Sequence, residues 1–224
     1  MTRQTTDWNQ EADPRDDRPP TRIVPRWEWR VFAHALQPLL AVSGVRFGAR
    51  DDTHSDVYLL STLSRHSVKA RNRVLEVKML SARSPDGLEQ WTPVLSQPFP
   101  VAADVLEPVW DAWGIQAPLL ERPSYTLETL LSDVVDRHDA LHAVTVTKDR
   151  TRISLLDCAG EHVSLVINGA HWESMAFEDV HEDVVLGAVR HLGLARAVNT
   201  NYPRALKAVL GLRQPASTSF QEQQ

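Results

Sequence analysis

The segment Arg26 to Ala33, RWEWRVFA, alternates charged and apolar side chains, and this pattern limits what the chain can fold into. Successive side chains of a β-strand point to opposite faces, so the segment predicts a strand with one apolar and one charged face. The two faces carry Trp27, Trp29 and Val31 on the apolar side, and Arg26, Glu28 and Arg30 on the charged side. The charged face either meets water in an open sheet or lines the lumen of a barrel covered by helices.

The segment Ser67 to Leu80, SVKARNRVLEVKML, predicts a hairpin. Its polar side chains fall at odd-numbered positions before Asn72 and at even-numbered positions after Arg73, and a two-residue turn at these residues accounts for the change. The turn pairs Arg71 with Val74, Lys69 with Glu76 and Ser67 with Lys78. All the charged side chains of this hairpin then share one face.

A third strand segment runs from His142 to Leu156, and its polar and apolar positions also change phase. By the same argument, it predicts a hairpin with a turn at Asp149 and Arg150. This interpretation places Arg152 on a polar strand face.

A fourth segment, His162 to Glu178, is divided by Asn168-Gly169, the strongest hairpin turn dipeptide in the chain. Glu173 and Glu178 lie in its second strand at positions of opposite parity. They therefore point to opposite faces unless a bulge intervenes.

Helical patterns separate and follow these strands. The predicted helices are Asp104 to Trp113, a segment capped by Thr126, Val185 to Leu192, and Pro203 to Gly211. Strands that come as hairpins predict an antiparallel α+β fold, without the alternating βα pattern or the glycine-rich phosphate loop of nucleotide-binding α/β proteins.

The net charge of the chain is −5, from 24 Lys and Arg against 29 Asp and Glu, and this balance excludes a broad basic surface for nucleic acid. The charge is nevertheless segregated. Residues 65–83 carry six basic side chains and one acid, whereas residues 171–185 carry five acids and no Lys or Arg. Such segments could line one anion and metal site, or could be solvated faces.

The rest of the composition sets the expected context. Hydrophobic residues make up 42% of the 224 residues, enough for a real core. We expect disordered tails at residues 1–25 and 212–224, around one domain at residues 26–211. Without a long apolar run or a secretory pattern, we expect a cytoplasmic protein with no membrane partner, and the single cysteine, Cys158, excludes an internal disulfide.

The charged strand faces are the candidate site. Converging Lys and Arg side chains suit a polyanion such as a triphosphate, and interspersed carboxylates suit Mg²⁺ or Mn²⁺. The predicted phosphate-binding residues are Arg26, Arg30, Lys69, Arg71, Lys78 and Arg152. The predicted metal ligands are Glu28, Glu76 and Glu178, with Glu173 as a further candidate, and the predicted catalytic residues are Glu28 and Lys78.

In this order, the segments resemble the CYTH family, the triphosphate tunnel metalloenzymes. RWEWR resembles the family's opening strand, DVYLLS at Asp56 to Ser61 its next strand, and VKAR and EVK its Arg-x-Arg and Thr-x-Lys strands. AFEDVHEDVVLGAVRHLGL and the closing segment Asn199 to Gly211 are similar to the family's last strand and helices. The resemblance covers about residues 26–211.

The resemblance implies an antiparallel β-barrel, or tunnel, with helices packed outside, a phosphate substrate held by basic residues, and a divalent metal held by Glu. The chain departs from the family at two positions, since Arg26 stands where the family has its first Glu, and Arg30 where it has Lys. Losing a carboxylate and gaining a cation favours holding phosphate over binding metal.

Three hypotheses follow. The first is a metal-dependent phosphohydrolase acting on an inorganic or organic triphosphate or polyphosphate. The second is a non-catalytic protein that binds polyphosphate or a phosphorylated ligand. The third is a scaffold whose charged strand face meets solvent. The first two hypotheses predict that Arg30, Lys69, Glu76 and Lys78 enter one enclosed cavity, and the third predicts that they do not.

Overall fold

The structure, a computed structural model, describes residues 25–41 and 44–213. The strands are β1 (Arg26–Ala33), β2 (Arg46–Arg50), β3 (His54–Ser61), β4 (Ser67–Arg71), β5 (Val74–Arg83), β6 (Glu89–Pro98), β7 (Val101–Ala102), β8 (Ser124–Tyr125), β9 (Leu141–Leu155), β10 (Cys158–Ile167) and β11 (Ala170–Asp179). The helices are α1 (Glu107–Trp113), α2 (Leu127–Leu130), α3 (Glu182–His191) and α4 (Tyr202–Val209). Short 3-10 helices cover Gln37–Ala41 and Ala103–Val105, and a π-helix, Leu131–Val135, continues α2.

Eight antiparallel strands close into a barrel. Their order is β10, β11, β1, β6, β5, β4, β3 and β9, and β9 pairs back with β10. β2 pairs with the end of β9 that extends beyond β3. The predicted α+β fold, a β-barrel with helices packed outside, is confirmed.

Two of the predicted turns are confirmed. Asn72 and Arg73 join β4 to β5 with φ of 48° and 62°, and the strands pair in the predicted register. Asn168 and Gly169 join β10 to β11 with φ of 49° and 76°. These left-handed conformations are the ones a two-residue hairpin turn requires.

The turn predicted at Asp149 and Arg150 is wrong. β9 runs unbroken through both residues and pairs with β10 from Val146 to Leu155, and the chain turns instead at Leu156 and Asp157. The change of phase has another cause. The inward face of β9 is apolar at one end of the barrel and charged at the other, while its outward side chains Ile153 and Leu155 belong to the apolar cluster that includes α3.

Helices cover the outside of the barrel in two places. α1, α2 and the π-helix pack on the outward side chains of β3, β4 and β5, where the Trp113 indole nitrogen donates to the Leu59 carbonyl at 2.9 Å. α3 packs on β1, β10 and β11 around Trp29 and Phe177. The apolar face predicted for β1 is therefore the face that packs against α3.

Helix α4 closes one end of the barrel. Inward side chains of β3, β9 and β10 form an apolar cluster with Leu206, which is fully buried. The inward members from the strands are Tyr58, Leu60, Val144, Val146, Val163, Leu165 and Ile167. Tyr202 and Val209 of α4 pack against this cluster, so the lumen is filled at this end.

The predicted tails, residues 1–25 and 212–224, lie almost entirely outside the described residues, and their disorder stays a prediction. Across residues 25–41 and 44–213, none of the helices has the length and apolar character needed to cross a membrane.

We predict that Leu206→Ala lowers the free energy of unfolding by about 2–5 kcal/mol, because it opens a cavity in the closed end of the barrel. The matched control is Leu119→Ala, whose side chain is 92% exposed and whose replacement should change stability by about 0.5 kcal/mol at most. Urea unfolding measures both. Equal effects would show that α4 does not pack in the lumen.

Candidate functional site

The open half of the lumen is a charged cavity of about 630 Å³. Side chains from the strands of the barrel and from the start of α4 line it. Its basic side chains are Arg26, Arg30, Lys69, Arg71, Lys78, Lys148, Arg150 and Arg152, and its acidic ones are Glu28, Glu161 and Glu178. Cations therefore outnumber carboxylates in the lining by eight to three.

Exposure falls steadily with depth along β1. The side chains of Arg26, Glu28 and Arg30 are 54%, 24% and 6% exposed. We call the end at Arg26 the mouth, and the end at Arg30, next to α4, the floor.

Strand β9 shows the same gradient. The side chains of Arg152, Arg150 and Lys148 are 64%, 28% and 4% exposed. Both strands thus carry one charged side chain at the mouth, one halfway down and one at the floor.

Asp56 lies behind the floor and holds several of its cations. Its carboxylate is fully buried and accepts two hydrogen bonds from Arg71, both at 2.7 Å, and one from Lys148 Nζ at 2.7 Å. Lys69 Nζ lies 3.7 Å from the same carboxylate and 2.9 Å from Glu76. One carboxylate of β3 therefore connects cations of β4 and β9.

Arg30 is the second centre of the floor. Its guanidinium donates to Glu28 at 3.0 Å, to the Ser174 hydroxyl at 2.9 Å and to Glu161 at 2.8 Å. Glu161 also accepts from Arg150 at 3.3 Å. These bonds fix a buried guanidinium between strands β1, β10 and β11.

Two aromatic rings support the floor. Tyr202, the first residue of α4, stacks on Tyr58 with ring centroids 5.2 Å apart. Lys148 Nζ lies 3.8 Å from the Tyr202 ring centroid, and the Arg30 guanidinium carbon lies 4.8 Å from it. Both distances are within the range of a cation–π contact, so the rings stabilise the two floor cations.

The environment shifts the pKa values of these groups. Burial alone raises the pKa of Asp56, but the hydrogen bonds and charges of Arg71, Lys148 and Lys69 outweigh it and hold that pKa well below its ordinary value. Burial lowers the pKa of Lys148 to about 7, against the opposing effect of Asp56. The pKa of Glu161 falls to about 2 because Arg30 and Arg150 outweigh the effect of burial.

The structure brings together most of the residues predicted for the site. Arg26, Glu28, Arg30, Lys69, Arg71, Lys78, Arg152 and Glu178 all line the cavity. Glu76 is not among the lining residues and pairs with Lys69 instead. Glu173 points outward, where it accepts hydrogen bonds from the backbone N–H groups of Leu36 and Gln37.

Five residues of the site escaped the sequence analysis. They are Asp56, Lys148, Arg150, Glu161 and Tyr202. Lys148 and Arg150 were missed because the predicted turn included Arg150 and separated Lys148 from Arg152. Lys, Arg and Arg at every second position is nevertheless the signal of one charged strand face. Nothing local in the sequence indicates that Tyr202 reaches the lumen, because that contact depends on how α4 docks.

The carboxylates predicted as metal ligands are each paired with a cation. Glu28 pairs with Arg30, Glu178 with Arg26 at 3.2 Å, and Glu76 with Lys69. Within the described part of the chain, no group of three or more His, Cys, Asp and Glu side chains is arranged to hold a metal ion. As arranged, these residues do not fit Mg²⁺ or Mn²⁺, and the metal stays a prediction from the sequence.

Comparisons with known proteins returned structural similarity alone. No protein-family model matches the chain. No curated protein matches it either.

Among solved structures, the chain is similar to the Bacillus halodurans protein bh2851 (TM-score 0.42, 10% identity, 82% of this chain and 98% of that one). It is also similar to PH1012 from Pyrococcus horikoshii, with a TM-score of 0.42, 12% identity, and coverage of 80% of this chain and 98% of that one. A third similar structure is HpAC1 from Hippeastrum, a protein said to have a dominant triphosphatase activity, with a TM-score of 0.40, 13% identity, and coverage of 85% of this chain and 98% of that one. Similarity this low carries no argument about function, and the fold assignment rests on the strand pairing described above.

We predict that Glu161 contributes to the acid dependence of stability. Its pKa is lower in the folded protein than in the unfolded chain, so its stabilising contribution is present above its ordinary pKa and is lost as the pH falls toward 2. When the pH is lowered from about 5 to about 3.5, the free energy of unfolding should fall by about 1 kcal/mol less in Glu161→Gln than in the unmodified protein. Urea unfolding at the two pH values measures this, and Glu121→Gln, at an exposed position, is the control. Identical acid dependence in both variants would contradict the prediction.

Proposed function

We propose that the cavity binds a triphosphate or polyphosphate through its cations and needs no metal to do so. The observation that carries the proposal is the excess of Lys and Arg over Glu in the lining of the cavity inside the barrel. Charges in such a site interact more strongly than on the surface, because water screens them less. A polyanion neutralises the excess, so it is the ligand class that the lining favours.

The supply of free donors supports this proposal. Lys78 lines the cavity and has no ion pair in the part of the chain that the structure describes. Among residues 25–41 and 44–213, the ion-pair partner of Arg152 is Asp51, at 3.8 Å. Both are therefore available for a ligand, and arginine and lysine are the residues that proteins use for phosphate oxygens.

The depth of the cavity favours several phosphate groups over one. Arg26 and Arg30 are four residues apart on one strand, which corresponds to about 13 Å. Charge-assisted hydrogen bonds to phosphate oxygens span about 2.8 Å. A chain of several phosphates matches the length of this series of cations better than a single phosphate group does.

We predict that tripolyphosphate raises the melting temperature of the protein in the presence of EDTA, as expected for a ligand that binds the folded state. Lys78→Ala should weaken binding by about tenfold, because it removes a charge-assisted contact. Arg190→Ala, which removes a positive charge from the exposed face of α3, should change affinity by about twofold at most. Titration calorimetry gives the affinities.

Two outcomes would count against this proposal. Stabilisation that appears only when Mg²⁺ or Mn²⁺ is added would show that the cations alone do not hold the ligand. Equal losses in Lys78→Ala and Arg190→Ala would show that the anion binds by overall charge rather than in the cavity.

Hydrolysis of the bound phosphate chain is the second candidate function. The observation that favours it is that Glu28 and Glu178 lie opposite each other on the adjacent strands β1 and β11. Both residues line the cavity beside the proposed phosphate path. Phosphate release from tripolyphosphate, thiamine triphosphate and ATP, each with Mg²⁺, with Mn²⁺ and with EDTA, tests it. Turnover that Glu28→Gln abolishes and Glu173→Gln retains would support this candidate, and release no faster than the protein-free blank would exclude it.

A further inference from the structure

We propose that Lys148 is a nucleophilic amine that condenses with small phosphorylated aldehydes inside the cavity and forms an imine with them. This chemistry differs from phosphoryl transfer, because the carbonyl group of the ligand reacts while its phosphate serves only for binding. The phosphorylated ligand class rests on the proposed function, since the cavity cations hold the phosphate. The reactivity of the amine follows from the surroundings of Lys148 itself.

The distribution of lysine directs attention to the inside of the barrel. The chain contains four lysines and twenty arginines. Lys69, Lys78 and Lys148 line the cavity, and Lys207 is buried on α4. An amine loses its proton near neutral pH when its surroundings disfavour the charge, whereas a guanidinium stays charged. A nucleophilic lysine of this protein is therefore one of these four.

Lys148 shares its carboxylate with two other cations. Its Nζ donates to Asp56 at 2.7 Å, and Arg71 donates to both oxygens of the same carboxylate, also at 2.7 Å. Lys69 Nζ lies 3.7 Å from that carboxylate, and the other hydrogen bond of Lys148 goes to the neutral hydroxyl of Tyr58. Within the described part of the chain, Asp56 is the one carboxylate paired with Lys148. Three cations around one buried carboxylate favour loss of a proton from the least compensated of them.

The other three lysines meet these conditions less well. Lys69 has a second carboxylate partner, Glu76, at 2.9 Å, and Lys78 is exposed. Burial lowers the pKa of Lys207 to about 8, but this residue is not among those that line the cavity. Burial lowers the pKa of Lys148 to about 7, so a large fraction of this amine is neutral at physiological pH.

The cavity gives access to Lys148 and supplies cations for a phosphate group. The Lys148 side chain lines the cavity and is 4% exposed, so a ligand reaches it through the lumen. Arg150 lies two residues further along the same face of β9, about 7 Å toward the mouth, and Arg152 lies as far again beyond it. An amine at the floor and guanidinium groups at these distances match a small ligand with an aldehyde at one end and a phosphate at the other.

The condensation needs no reactant other than the aldehyde. The nitrogen lone pair of neutral Lys148 attacks the carbonyl carbon, a C–N bond forms, and the carbonyl π electrons move to the oxygen. One nitrogen proton moves to this oxygen and gives a carbinolamine. The second nitrogen proton leaves with the hydroxyl group as water, and a C=N bond remains. The products are one imine and one water, with no change in oxidation state.

The experiment treats the protein with pyridoxal 5′-phosphate and reduces the imine with borohydride, which converts it to a stable secondary amine. Peptide mass spectrometry then gives the labelled fraction of each of the four lysines and of the N-terminal amine. We expect Lys148 to carry at least about tenfold more label than Lys78, because its surroundings disfavour the ammonium form. Label on Lys69 or Lys78 in preference to Lys148 would overturn the proposal.

Pyridoxal, which has the aldehyde but no phosphate, tests the ligand class. We expect it to label Lys148 at least about tenfold less than pyridoxal 5′-phosphate does at the same concentration, because it lacks the charge-assisted contacts. Tripolyphosphate should protect Lys148 from the phosphorylated reagent by occupying the same cations.

The outcomes separate this reaction from the proposed function. Tripolyphosphate that binds in calorimetry while Lys148 stays unlabelled would overturn the reaction and leave the proposed function in place. Equal labelling of Lys148 by both reagents, without protection by tripolyphosphate, would overturn the phosphorylated ligand class together with the proposed function.

Two variants provide the matched controls. Lys148→Arg keeps the positive charge and removes the nucleophile, so the absorbance of the imine before reduction should disappear. Arg190→Lys adds an amine on the exposed face of α3, outside the cavity, and this amine should carry at least about tenfold less label than Lys148. Equal labelling of the two amines would show that Lys148 has ordinary reactivity and would overturn the proposal. The peptide mapping of the unmodified protein needs neither variant to fold.

Discussion

Closure of the sheet is the constraint on which the rest of this structure depends. Because β9 pairs with both β3 and β10, every second residue of eight strands must enter an enclosed lumen. Apolar side chains there need an apolar partner, which α4 supplies at one end. Charged side chains there need counter-charges, because an unpaired charge in low dielectric is costly. The division of the lumen into a filled half and a charged half follows from these two needs.

The charged half is held in place by its own carboxylates. Asp56 and Glu161 each connect two or more cations, so the guanidinium and ammonium groups are fixed before any ligand binds. Such pre-organisation lowers the entropy lost on binding, since the side chains are already ordered. The pairing is incomplete, however, and the lining keeps a surplus of positive charge, which is the basis of the proposed anion binding. A net charge of −5 for the whole chain is compatible with this local surplus.

The sequence predicts the local features of this fold well, and its long-range features poorly. The alternation of β1, the turn at Asn72 and Arg73 and the turn at Asn168 and Gly169 are short-range signals, and all appear in the structure. The error in β9 arose because one strand passes through two environments, so its apolar positions change face without a turn. Barrel closure and the docking of Tyr202 depend on contacts distant in sequence, and periodicity carries no trace of them.

The same distinction applies to the site. The cations predicted from strand alternation do converge, because closure turns one face of each strand into the lumen. The roles of the carboxylates could not be predicted in this way, since whether Glu28, Glu76 or Glu178 faces a cation or a metal depends on cross-strand neighbours. The most direct test is a crystal structure of the protein with tripolyphosphate, grown without divalent cations. The account predicts phosphate groups inside the barrel, in contact with cavity cations such as Lys78 and Arg152, and tripolyphosphate bound only to the outer surface would contradict it.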